Sequence, residues 1–176
     1  MTTNTVRKYA VLKLYNKLLK NPSRRSLMVN ISEIEKVLSD KNRSLSSLAA
    51  SILLRMCNET QLEKLFQQIS ESMSEMSDDY KIDVLGSIKN VVKQFPNKYA
   101  LVNAFLLKFM HQEKKYDFTK TAVEVMEFEI RQIGGEAKRD CLRILSGFLM
   151  TQSFEKIHFQ ILGIISREVN AADIDN

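Results

Sequence analysis

The sequence is poor in glycine and proline, with five and two among 176 residues, and it holds no tryptophan. So few turn-forming residues, and those unclustered, exclude collagen-like and linker-like chains and leave an all-β fold without its turns. Cysteine is equally scarce. Cys57 and Cys141 stand far apart, each inside an apolar-periodic segment, so no disulfide framework is indicated and a reducing, cytosolic setting fits. No apolar run approaches the roughly 20 residues that span a bilayer, and the start MTTNTVRKYA has no long apolar stretch after its basic residues. A soluble chain without a secretory leader is expected.

Chemistry-bearing patterns are missing as well. The two histidines, His111 and His158, lie far from each other and from the cysteines, so no metal-ligand spacing exists. There is no glycine-rich phosphate loop, no G-x-S-x-G and no H-E-x-x-H. No catalytic, cofactor-binding or metal residue is assigned, and the chain is expected not to be an enzyme. His158 falls on an apolar stripe and His111 at a helix end, and both read as structural.

What is present is a steady supply of apolar residues, 44% of the chain, enough for a continuous core in one domain-sized segment. The net charge of +5 is unevenly spread. Residues 1–58 carry 11 Lys or Arg against 3 Asp or Glu, residues 59–116 carry 8 against 8, and residues 117–176 carry 7 against 10. The basic end marks either a solvated helix face or a surface for an acidic partner, a membrane or a nucleic acid.

Apolar positions recur at helical spacing almost throughout. A first helix spans residues 5–20, with Val11, Leu14, Tyr15 and Leu18 on its face, and stops at Pro22. A short one covers residues 32–38. Leu45, Leu48, Ala49, Ile52, Leu53 and Met56 draw one stripe along a third, capped at Ser44. The break Cys57-Asn58-Glu59-Thr60 turns the chain into a helix carrying Leu62, Leu65, Phe66, Ile69 and Met73, an antiparallel neighbour. Ser77-Asp78-Asp79 opens the next, with Val84, Leu85, Ile88, Val91, Val92 and Phe95, its acids at the positive end of the helix dipole. Asn97 is expected to cap residues 98–112, where Val102, Phe105, Leu106 and Phe109, widened by Leu101 and Ala104, suggest packing on two sides. Residues 117–133 present Ala122, Val125, Met126 and Ile130 before the cap Gly134-Gly135, and residues 136–150 form the partner. A last helix, 153–169, shows Phe154, Ile157, Ile161, Ile164 and Ile165, followed by a polar, frayed tail at 170–176.

Hairpin starts at Ser44, Ser77, Asp117 and Ser153 recur at the period of helical solenoid repeats. The expected fold is all-α, a right-handed α-solenoid of HEAT or armadillo-like hairpins with about nine helices. Residues 1–38 supply leading helices, 39–76, 77–116 and 117–152 hairpin repeats, and 153–169 the final helix. That final stripe lacks an antiparallel partner after it, so the segment reads as cut from a longer array. Gly86, Gly147 and Gly163 fall inside helices, each at a cost of about 1 kcal/mol relative to Ala, and close approach of a neighbouring backbone is the expected compensation. Met73, Met76 and Met126 fill gaps in the core.

Residues 39–99 resemble the middle of the trunk of the coatomer gamma-subunit family. The resemblance rests on Asp40, Asn42-Arg43-Ser44, Leu48-Ala49, Leu53-Leu54, Asn58-Glu59, Gln68-Ile69 and Lys81. It extends more loosely to Lys20-Asn21-Pro22 before, and to Tyr116-Asp117-Phe118 with Lys120 and Phe154 with Ile161-Leu162 after. The chain departs from the family at Lys114-Lys115, where a glycine pair is usual, and at Met150-Thr151-Gln152-Ser153, where an acidic stretch is usual. The resemblance implies an adaptin-like scaffold of the COPI coat in Golgi-ER and intra-Golgi transport. Its implied partners are other coatomer subunits, above all the small zeta subunit, and an Arf-family GTPase bound through regions outside this segment. It also implies a cytoplasmic protein peripheral on Golgi membranes and COPI vesicles. Asn42, Arg43 and Ser44 are candidate protein-contact residues, against a structural role in capping and repeat packing. A nucleic-acid-binding helical repeat using the basic N-terminal third is the alternative function, although no side chain recurs from repeat to repeat as base readout requires, and nucleic acid is not the expected partner.

Overall fold

A computed structural model describes residues 4–19, 31–151 and 153–174. Among them are nine α-helices and one 3₁₀ turn, so the all-α expectation holds. The chain divides into two compact units, Met1–Val91 and Val92–Asn176.

The first unit holds α1 (Thr5–Leu19), α2 (Ile31–Leu38), α3 (Arg43–Met56), α4 (Glu59–Met73) and the opening of α5 (Asp78–Gln94). Its middle is α3, against which α1, α2 and α4 all pack. The sequence reads α3 as one stripe. The structure buries far more of it, adding Ser46, Ser47, Ala50, Ser51 and Leu54 to Leu45, Ala49, Ile52 and Leu53. Serine tolerates such burial when a nearby carbonyl accepts a hydrogen bond from its hydroxyl: Ser46 Oγ donates to Leu38 O at the end of α2 (2.6 Å), and Ser47 Oγ to Ser44 O (3.2 Å). Helix α4 follows the two-residue link Cys57-Asn58 and buries all five residues that the periodicity marks. Asn58 caps it, its Oδ1 accepting from Gln61 N at 3.0 Å.

The face expected of α1 is corrected. Among its described side chains Leu12 is fully buried and Tyr15 half-buried, while Val11 and Leu14 are exposed, Leu14 by 55%. Apolar residues occur all round this helix, so spacing alone does not say which arc meets α3. Leu18 as a face residue, the stop at Pro22 and the basic pair Arg24-Arg25 fall outside the side chains or residues described.

The second unit holds the end of α5, a 3₁₀ turn Pro96–Lys98, α6 (Tyr99–Gln112), α7 (Tyr116–Ile133), α8 (Gly135–Leu149) and α9 (Glu155–Ile174). Helices α7 and α8 pack closely, α6 touches both, and α9 packs on α7 and α8. The cap position of α6 falls on Lys98 rather than on the expected Asn97. Pro96, with its fixed φ and no N–H to satisfy, starts the 3₁₀ turn instead, and α6 begins at Tyr99 without a side-chain cap. Ala104 is exposed and Leu101 half-buried, so the wide stripe expected of α6 is narrower, with Asn103 and Met110 buried in addition. Gly134 and Gly135 have φ of 70° and 53°, which is why glycine serves where α7 ends and α8 begins. Helix α9 buries Ile157, Ile161 and Ile164 and leaves Phe159, Leu162 and Val169 exposed. It continues to Ile174, past the residue-169 end and into the stretch expected to fray.

The compensation expected at the helical glycines is also corrected. A β-carbon at Gly86, Gly147 or Gly163 meets nothing within 4 Å, and all three sites are exposed. Their helical cost is therefore unoffset by packing. Gly86→Ala and Gly163→Ala should each stabilise the chain by about 1 kcal/mol, read as a higher urea midpoint at unchanged slope. A lower midpoint for either variant would show that the glycine answers a constraint outside its own helix.

Candidate protein-contact site

Residues 40–44 form a compact turn leading into α3. Asp40 Oδ1 accepts from the backbone N–H of Asn42 at 2.9 Å, and Lys8 Nζ donates to Asp40 Oδ2 at 3.1 Å. The Asn42 amide, and then Lys8, hold the Asp40 carboxyl below its ordinary range. Asn42 Oδ1 accepts from Ser44 N at 3.1 Å, which makes Asn42 the cap of α3 in place of Ser44. Both side chains suit a cap; Asn42 takes the position because its extended backbone (φ −81°, ψ 104°) immediately precedes the first helical residue, Arg43. Arg43 forms an ion pair with Glu75, just beyond the end of α4. All three candidate residues are thus brought together in one turn, each with an interaction inside the first unit. Arg43 and Glu75 remain half in water, where such a pair contributes only a few tenths of a kcal/mol and either member is free to change partner.

A second polar group lies in the core of the second unit, unforeseen from the sequence. Glu129 of α7 is fully buried, as is Cys141 of α8, and Asn103 of α6 is almost so. Cys141 Sγ lies 3.3 Å from Glu129 Oε1 and 3.5 Å from Asn103 Oδ1, and Asn103 Nδ2 donates to Asp140 Oδ2 at 3.1 Å. Glu129 Oε2 has no hydrogen-bond partner among the described residues. Burial pushes the Glu129 carboxyl up to about 7, although hydrogen bonds from Cys141 and Asn103 pull the other way. Burial, with Glu129 beside it, also pushes the Cys141 thiol up, and burial alone takes Cys57 to about 11, so neither sulfur is a reactive thiolate. The signal was present in the sequence. Glu129 stands four residues after Val125 and one before Ile130, on the arc marked as buried.

The two histidines are not brought together. His111 is exposed at the end of α6 with its ring against Phe148, and His158 is half-buried in α9. No group of three or more metal-ligating side chains occurs among the described residues, and none of the described helices is long and apolar enough to cross a membrane.

Comparison with known proteins gives this arrangement a relation. The chain is 28% identical to human coatomer subunit gamma-1 over 162 residues, 92% of this chain but 18% of that protein. It is 31% identical to the coatomer gamma subunit of Arabidopsis thaliana over 93% of this chain and 18% of the relative, and 27% identical to that of Dictyostelium discoideum over 95% and 18%. The chain therefore spans about a fifth of the length of these relatives. No solved structure matches it. The model of the adaptin N-terminal region matches residues 2–174, and the chain belongs to that family.

Proposed function

We propose that this chain is a piece of a COPI coat scaffold, built to hold other proteins and carrying no catalysis of its own. One observation carries the reading: its likeness to coatomer gamma subunits of animals, a plant and an amoeba runs along more than nine-tenths of its length. The helices support it physically. Helices such as α4 and α9 bury one face against their neighbours, and hairpins of this kind stack into arrays with extended surfaces for partner proteins. The division into hairpins at 39–76, 77–116 and 117–152, in a HEAT-like right-handed solenoid, is part of the same proposal. So is a cytoplasmic protein, peripheral on Golgi membranes and vesicles, acting in Golgi-ER and intra-Golgi transport.

The partner expected to lie in the array is the small coatomer zeta subunit, with other coatomer subunits around it and an Arf-family GTPase bound elsewhere. Asn42, Arg43 and Ser44 are proposed as an edge of a protein contact in which Arg43 exchanges Glu75 for an acid of the partner. Co-expression of the complete protein with a coatomer zeta subunit, followed by gel filtration, tests the reading. The two should elute together as a 1:1 complex. Elution of a well-folded protein without the zeta subunit would remove the zeta assignment.

A further inference from the structure

The first unit carries a groove that the coat reading does not use. It is a cavity of about 580 Å³ between α1, α3 and the start of α5, within the size range of sites that take ligand side chains. One wall is basic. Helix α1 contains Arg7, Lys8, Lys13 and Lys17 and no acid. Lys8 is committed to Asp40, but Lys13 and Lys17 line the cavity, and neither forms an ion pair among the described residues. Lys13 instead lies over the ring of Tyr9, 5.2 Å from its centre, which holds the cation at the groove wall. Apolar surface lines the same cavity: Leu14 of α1, more than half exposed, with Leu48 of α3 and Tyr80 of α5.

We infer that this groove docks a short acidic and apolar peptide segment of a partner protein, its carboxylates against Lys13 and Lys17 and its apolar side chains against Leu14, Leu48 and Tyr80. Charge complementarity selects that occupant. Carboxylates spaced along a peptide meet two ammonium groups one helical turn apart that have no carboxylate partner among the described residues, while its apolar residues cover surface that otherwise stays in water. The chain's own segment 20–30 does not qualify, because it holds Lys20, Arg24 and Arg25 and no acid. A flat anionic membrane calls for cations that project, whereas Lys13 is held along the wall of a cavity. A nucleic-acid strand would bring phosphates past Asp83 on the α5 wall, and a peptide can place its acids on the α1 side alone. The inference stands apart from the coat assignment and survives its failure.

The test uses the 176-residue chain and a fluorescein-labelled peptide Glu-Glu-Leu-Glu-Glu-Phe, followed by fluorescence anisotropy. Saturable binding is expected, weakening about fivefold or more between about 50 and 200 mM salt. The double variant Lys13→Glu/Lys17→Glu, both exposed, should keep the helical circular dichroism and weaken binding by about tenfold or more. Leu14→Ser should weaken it several-fold without changing the salt dependence. Absence of saturable binding overturns the inference, as does equal binding of the analogue with Gln in place of every Glu, or binding indifferent to the double variant. Lysine-dependent binding to phosphatidylserine vesicles or to a uridine oligomer, with the acidic peptide left unbound, overturns it in favour of a lipid or nucleic-acid surface.

Discussion

Leu53→Asp should unfold the first unit. Leu53 is 2% exposed in the middle of α3, the helix that α1, α2 and α4 share. Losing the leucine side chain there costs about 2–5 kcal/mol by transfer and cavity terms, before any charge is considered. The carboxylate is then buried in the helix seam, and it either stays charged at several kcal/mol or takes up a proton at a smaller but real cost. The sum is of the order of the whole stability of a unit of this size, roughly 5–10 kcal/mol. Circular dichroism should show a partial loss of helix at 25 °C, with exchange protection surviving only in the second unit. Leu53→Met serves as the control, since it preserves volume and apolarity and should cost less than about 1.5 kcal/mol. A Leu53→Asp chain that melts with the parent would mean that α3 is not the shared core of this unit.

How much of this was legible in the sequence depends on how each helix is surrounded. Helix α4 has one buried arc and a polar remainder, so period 3.6 picks out Leu62, Leu65, Phe66, Ile69 and Met73 without error. Helix α3 hides its true extent because Ser46, Ser47 and Ser51 look polar yet are buried, small enough for neighbouring helices to approach. Helix α1 misleads for the opposite reason. Its apolar residues encircle it, and only contact with α3 distinguishes Leu12 from Val11 and Leu14. Among the candidate site residues, the spacing locates the start of α3 to within two positions but not which of two capping side chains serves. That choice is made by the Asp40 turn, and the partner of Arg43 arrives from beyond α4, more than thirty residues away in sequence. The glycines are the clearest failure of local reasoning. A helical glycine suggests a neighbour pressed against it, and these three face open space.

The second large effect concerns Glu129, and its sign follows from burial. The folded carboxyl titrates at about 7 against an ordinary 4.5, so between those values the folded chain holds a proton that the unfolded chain has released. Stability from the neutral carboxyl is thus fully present below pH 4.5 and lost as pH rises through 7, a loss of about 3 kcal/mol for a shift of this size. Asp140, facing the same cluster from α8, raises the Glu129 value further; Cys141 keeps its proton throughout and contributes no slope of its own. Urea unfolding between about pH 5.5 and 8, above the range of ordinary carboxylates, should therefore show a second unit that weakens toward neutrality. Glu129→Gln keeps the shape and supplies a neutral amide, whose carbonyl oxygen can accept from Cys141 Sγ as Glu129 Oε1 does. It should abolish that slope and stabilise the unit by about 2 kcal/mol at pH 8, less than the full 3 because the amide also has hydrogen bonds to satisfy. Equal slopes for parent and variant would mean that Glu129 is ionised and solvated in the folded chain. A slope present in the parent and lost in Glu129→Gln would show that the second unit retains a buried acid at a cost in stability near neutral pH, where an apolar residue would fill the same arc of α7.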